Sequence, residues 1–270
     1  MKLSLGITPR DYSVAGGVTY DTDAQAYFTA NTAITSAADK NAINIFYLGL
    51  KSDGIYTKMK AMYLPIWGSA AACKWNLINP VDSNAAFRLT FSTGITYTSN
   101  GMTFNGTSAF ANTYFTPSIS LSLNSGSLGY YGGNNLGSQI NKPALGSVIS
   151  GQLFMLEPSY SGYGVFGCVN DGSATFTANT NTTGFIFVTR TTSTQKIISI
   201  RGSQVTLNEN TTGRPTATVV IGARNNNGTV EFYSAFQHRF DFIADGLTST
   251  EATNFHTRVQ TLMTYFGINV

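Results

Sequence analysis

The chain has 270 residues, with 16 Lys and Arg against 13 Asp and Glu and a net charge of +3. Only 11% of it is charged, against ~25% in ordinary soluble domains, and no basic run or stripe is present to hold a nucleic acid. No stretch approaches the roughly 18 apolar residues of a membrane helix. Ser, Thr, Asn and Gly take the place of the charges, which makes a neutral, hydrogen-bonding surface suited to assembly and to exposure outside a cell. The 18 Phe and 14 Tyr supply a core and exclude disorder. A chain of this length buries about 70–75% of its unfolded surface, so no disulfide or metal is needed. Cys73 and Cys168 lack metal-ligand spacing and read as two buried thiols, with pairing left open. The first residues, MKLSLGITPRDYSV, contain no apolar run of roughly 7–15 residues and do not read as a secretory leader. An outward-suited surface without an export address fits a protein assembled in a cytoplasm and released by lysis, as virion proteins are.

Residues 1–20 show little helical periodicity and read as an arm, a candidate for attachment to a particle or for strand addition to a neighbour. Asp21 to Asn31 reads as a short helix. Ser36 with Asp39 makes a variant capping box ahead of Ile43, Phe46, Tyr47 and Leu50, and Gly54 offers the left-handed stop. Gly49 weakens that helix. Met59 to Trp67 reads as a strand that Pro65 confines to an edge or an end. Residues 21–68 thus form a helical segment packed on or beside the strand-rich remainder of the chain.

From residue 69 onward the pattern is strands and turns. Phe87, Leu89 and Phe91 alternate with Arg88 and Thr90, as a half-buried strand requires. Ile95 to Thr98, Met102 to Phe104 and Ala109 to Phe115 come next, divided by Asn100-Gly101 and Asn105-Gly106, whose residues accept the positive φ of tight turns. Later strands are expected at Leu153–Leu156, Tyr163–Val169, Phe185–Arg190, Ile197–Arg201, Thr216–Ile221, Val230–Tyr233 and Phe236–Ile243. About a dozen short strands predict a mainly β fold, a two-sheet antiparallel jelly-roll sandwich over 69–270. Thr248 and Glu251 form a capping box for a closing helix whose stripe is Ala252, Phe255, Val259, Leu262, Met263 and Phe266, with Gly267 ending it.

Several of these segments together resemble a group of phage virion proteins built on a concanavalin A-like sandwich. They are Ile55 to Tyr63 with KWNLINP (74–80) and DSNAAFRLTF (82–91), then NGMTFNGT (100–107), then VIGARNNNGTVEFYS (220–234) with FIADGLTSTE (242–251). The resemblance spans most of residues 35–270. It implies a structural or adhesive subunit in a fibre, tail or other particle-surface position, exposed on the virion. Its partners would be other virion proteins and copies of itself, fibres being commonly trimeric.

Each chemistry open to such a sandwich needs its own residues. Glycoside cleavage needs two carboxylates about 5–9.5 Å apart. None of Glu157, Glu209, Glu231 and Glu251 has an acidic neighbour at i+2 or i+4, which leaves Glu231 with Asp241 across strands as the best pair and no catalytic assignment. For calcium only Asp171, beside Asn170, and Asp241 with Asp245 deserve naming; they read as a turn and a strand end, so no metal or other cofactor is expected. His238 and His256 are isolated, and the default for both is the surface. Neutral glycans are held by aromatic faces beside amides and hydroxyls. Two stretches have that chemistry, around Tyr130, Tyr131, Asn134 and Asn135 and around Tyr160 and Tyr163, and these six are the candidate ligand-binding residues. The competing reading puts the tyrosines in the core and the glycines in turns. The expected function is a non-enzymatic surface subunit, with a receptor-binding lectin for host glycans and a glycan-cleaving enzyme as alternatives.

Overall fold

The computed structural model describes residues 19–172 and 175–270. The arm expected over 1–20 lies, but for its last two residues, outside the described residues. Helix α1 (Thr22–Ala30) starts at Asp21, whose side chain caps Asp23 and also meets Lys51 at 2.7 Å. Helix α2 (Ala37–Ser52) starts at Ser36, which accepts the Asp39 N–H, and Gly54 after it takes φ +70°. Strand β1 (Met59–Tyr63) and the single-turn α3 (Ala70–Cys73) come after it. Gly49 is where α2 is crossed rather than merely weakened. A Cβ there would meet the Arg258 side chain at 2.8 Å, and that side chain passes over the bare backbone to reach Asp53 at 2.8 Å.

The next strands are shorter than their apolar alternation suggests. They are β2 (Thr90–Phe91), β3 (Ile95–Thr98), β4 (Gly101–Phe104) and β5 (Ala111–Asn112), followed by one turn of helix, α4 (Pro117–Ser120). The strand expected from Phe87 does not form. Ser83 caps a 3-10 turn over Asn84–Ala86 that ends with Phe87 left-handed at φ 59°. Leu89 is still buried and Phe87 packs against the same core, so the burial was readable and the backbone path was not. In both Asn-Gly pairs the positive φ belongs to the glycine; Asn105 instead accepts the N–H groups of Thr107, Ser108 and Ala109, each at 3.0 Å.

Longer strands build the body: β6 (Gly126–Gly132), β7 (Leu145–Ile149), β8 (Gln152–Tyr160), β9 (Gly164–Asp171), β10 (Phe176–Thr177), β11 (Gly184–Arg190), β12 (Gln195–Ile200) and β13 (Ser203–Asn208). The short β14 (Val220–Ile221), β15 (Arg224–Asn226) and β16 (Thr229–Glu231) precede β17 (Gln237–Ala244), and α5 (Ser249–Tyr265) closes the chain. Two sheets result. Sheet A runs β13-β12-β11-β6-β17-β4-β3, with β1 beside β17; sheet B runs β10-β9-β8-β7-β14-β5-β2, with β15 and β16 beside β7. Among the described residues the strands pair antiparallel except for β15 with β7, and an isolated parallel bridge joins Gln139 to Tyr160. The protein is a two-sheet β-sandwich of jelly-roll type with a few helices.

Three layers of side chains arise from strand alternation. Leu128 and Tyr130 of β6, Ile186 and Val188 of β11 and Ile243 of β17 face sheet B, meeting Phe154, Leu156, Val165 and Val169. The intervening Tyr131, Phe185, Phe187, Phe240 and Phe242 point the other way, onto α1, α2 and α5. Phe255 of α5 sits among them, 4.8 Å from the Phe242 ring. A smaller cluster, Val148, Met155 and Cys168 with Leu153 and Phe166, lies on the outer side of sheet B, away from the long helices. Because β9 lies across from β11 and β12, the end strands β10 and β13 fall on the same flank of the sandwich.

Candidate functional site

The two glycan-type stretches have different fates. Gly129-Tyr130-Tyr131-Gly132 is the C-terminal half of β6, buried on both faces, and Tyr130 and Tyr131 are both 0% exposed. This corrects the loop reading, and the physical reason is close packing. A Cβ on Gly129 would fall inside the Phe187 side chain, so the glycine is there to let two strands' aromatics close over the backbone. The Tyr130 hydroxyl donates to the Thr182 carbonyl, and that of Tyr131 accepts the Val270 N–H at 2.9 Å. Asn134 and Asn135 are also spent on the protein. Asn134 accepts the Gln237 N–H at 2.7 Å and donates to Ala235, while Asn135 accepts the N–H groups of Gly137 and Thr182. Neither tyrosine presents a face to a sugar; of the two amides Asn135 is exposed, with its Oδ1 engaged by the chain.

Tyr160 and Tyr163 do come together, around a residue that sequence reasoning passed over. Tyr160 ends β8, Tyr163 lies in the turn, and both rings pack on Phe176 of β10, at 5.4 and 5.5 Å. Phe166 of β9 completes the group at 5.3 Å from Phe176. Tyr163 is 66% exposed, the other three are partly buried, and together they make an aromatic shelf on the outer side of sheet B. Ser138 and Gln139 run beside the turn: Gln139 donates to the Ser159 carbonyl at 2.9 Å and accepts from Ser161, while Ser138 Oγ accepts from Gly162. The Ser138 hydroxyl and the Gln139 backbone thus run beside the rings, while the Gln139 side-chain N–H groups are taken up by the Leu136 and Ser138 carbonyls. Phe166 was legible as the outward member of an alternating strand; Phe176, isolated in a polar run, gave no signal.

A buried carboxyl lies close by. Glu157 of β8 pairs with Phe166 across the strands, is 2% exposed and accepts the Lys142 N–H at 2.6 Å. Burial pushes its acid constant up to about 7, against the opposing pull of that N–H and of the Arg224 and Lys142 charges.

The remaining titratable candidates are committed elsewhere. Glu231 belongs to sheet B, where its Oε1 accepts from Arg224 at 2.8 Å and Asn226 at 3.0 Å. Asp241 belongs to sheet A and is sealed in the sandwich, 2.6 Å from His238 Nδ1. The structure therefore sets the weighed pair on two different sheets. His238 is not on the surface: it is 0% exposed, its ring 5.1 Å from both Phe104 and Tyr130, because β17 turns it inward beside Asp241. His256 is half-buried, stacked on Phe185, and that burial holds it below the usual imidazole range. Asp171 ends β9 and is a fully buried anchor between the sheets, bonded to Arg190 of β11 at 2.9 Å and Lys196 of β12 at 3.2 Å. Asp245 pairs with Lys60 at 2.7 Å. Cys73 and Cys168 are both buried thiols.

No protein-family model matches the sequence, and no curated protein is significantly similar to it. Solved structures share the fold. A mutant Trypanosoma rangeli sialidase displaying trans-sialidase activity matches 82% of this chain at 12% identity with a TM-score of 0.50. Domain 4 of AbnA, an extracellular arabinanase from Geobacillus stearothermophilus in complex with arabinotriose, matches 74% of it and 98% of its own length at 14% identity and TM-score 0.47. The botulinum neurotoxin serotype D binding domain matches 76% of it and 52% of its own length at 11% identity and TM-score 0.47. The chain spans 39% of the length of the sialidase. At such identities the likeness is one of architecture: a mainly β, two-sheet sandwich.

Proposed function

We propose that this chain is a non-enzymatic, adhesive β-sandwich subunit on the outside of a phage particle, touching neutral host-surface saccharide through the shelf of Tyr160, Tyr163 and Phe176. The observation that carries the reading is the solvent-facing Tyr163 ring grouped with Tyr160 and Phe176 on the sheet face that the long helices leave uncovered. A sugar ring stacks on such a surface through its C–H face while its hydroxyls reach the neighbouring Ser138 and Gln139. The virion placement rests on the sequence resemblance and the low charge. The absence of chemistry rests on the separation of Glu231 from Asp241 and on the closure of Asp241 within the core.

A glycan array with the full chain tests this. Binding to one saccharide class is expected, with Tyr163→Ala weakening it about tenfold or more and leaving the melting temperature unchanged, since an exposed side chain carries little stability. No reducing ends should be released from the bound saccharide. An array without signal would remove the adhesive part, and reducing-end release abolished by Glu231→Gln would replace the reading with catalysis.

A further inference from the structure

Every edge of a sheet leaves alternate backbone N–H and C=O groups unpaired, and proteins blunt such edges by shortness, proline, charge, bulges or cover. Most edges here are blunted. Sheet B ends in β10 and β2, each of two residues, and in the three-residue β16, which carries the charge of Glu231. In sheet A the outer side of β1 is covered, Met62 accepting the Leu77 N–H and donating to Asn76, and β3 has four residues. The exception is β13, Ser203-Gln204-Val205-Thr206-Leu207-Asn208. It has six residues in unbroken register with β12, carries no charge and no proline, and has no second neighbour among the described residues. The Glu209 N–H donates across the hairpin to the Thr194 carbonyl at 2.9 Å. Backbone groups alternate in direction along a strand, so those of Gln204, Thr206 and Asn208 point outward.

We propose that β13 docks a second copy of this chain, antiparallel about a two-fold axis, so that sheet A continues through both protomers. Self-pairing sets each residue against a residue of the same strand, where like charges would repel, and β13 has none. Outward-bonding residues must also meet outward-bonding residues. A register centred on Val205 does this, setting Gln204 opposite Thr206 of the second copy and Thr206 opposite its Gln204. Arg201 takes no part in this pairing: it sits in the hairpin turn at φ 50°, its guanidinium bonded to Asn179 Oδ1 and to the Asn181 and Thr183 carbonyls. Val205, 39% exposed, is covered in the process. A strand from an unrelated protein would have no reason to match this reciprocity.

Light scattering on the full chain across a concentration series should find a dimer. Thr206→Pro removes a central outward N–H while leaving the β12 ladder intact; it should give a monomer of unchanged melting temperature. Val205→Cys places two thiols across a non-hydrogen-bonded pair, within reach of a disulfide. Mild oxidation should then yield a covalent dimer, because Cys73 and Cys168 are buried. A wild-type chain monomeric at every concentration would overturn the proposal. So would a dimer that withstands Thr206→Pro and is not cross-linked by Val205→Cys.

Discussion

Glu157 joins the shelf to the solvent's pH. Its folded acid constant near 7 stands above the ordinary 4.5, so the folded chain holds that proton more tightly than the unfolded one. The stabilisation is therefore complete below about pH 4.5 and is lost as pH rises through 7, a change on the order of 3 kcal/mol. Melting curves of the wild type between pH 5 and 8 should fall with rising pH, and Glu157→Gln should flatten that part of the profile. The charged groups facing it are Lys142 and Arg224, the latter paired with Glu231. Asp171 makes a different prediction. Replacing it with Ala leaves Arg190 and Lys196 buried without a counter-charge, so urea unfolding should show a loss of about 3–5 kcal/mol. At this scale little of the site was legible. Tyr163 and Tyr130 sit in near-identical Tyr-Gly surroundings, and what separates an exposed ring from a buried one is the sheet position of each, a long-range fact that local sequence does not carry.

Elements whose signals are local were the readable part. The capping box of α5 is present, with Thr248 accepting the Glu251 N–H and Glu251 returning the bond to Thr248. Thr248→Ala should cost about 1 kcal/mol in chemical unfolding, as a lost N-cap does. Phe255 belongs to a buried stripe that meets four aromatic rings of sheet A, so Phe255→Ala should cost about 3–5 kcal/mol. Strand lengths were read less well. Phe87, Leu89 and Phe91 alternate as a strand would, yet a left-handed residue at Phe87 brings two of them inward from an irregular path. Alternation reports which side chains are buried; whether a ladder forms depends on a partner strand far away in sequence. Gly49 shows the same limit for helices, since its worth lies in the passage of Arg258 from another element.

For the molecule as a whole, the number and size of aromatic residues foretold a thick core, and the closing helix foretold one covered face. Which sheet the helices would cover was not legible, nor which edge would be left open, because both depend on strand order. That order has a consequence for attachment. The shelf strand β10 and the open edge β13 share one flank, and a two-fold axis normal to a continuous sheet turns like faces the same way. A pair joined at β13 would therefore present its two aromatic shelves, the surfaces proposed to touch saccharide, side by side in one direction. Once the first has landed, the second searches only a small volume, and such tethering can multiply affinity by roughly 10²–10⁴ with no new contact. Shallow stacking on a few rings, weak and easily reversed alone, then becomes a grip that holds collectively yet lets go one hand at a time.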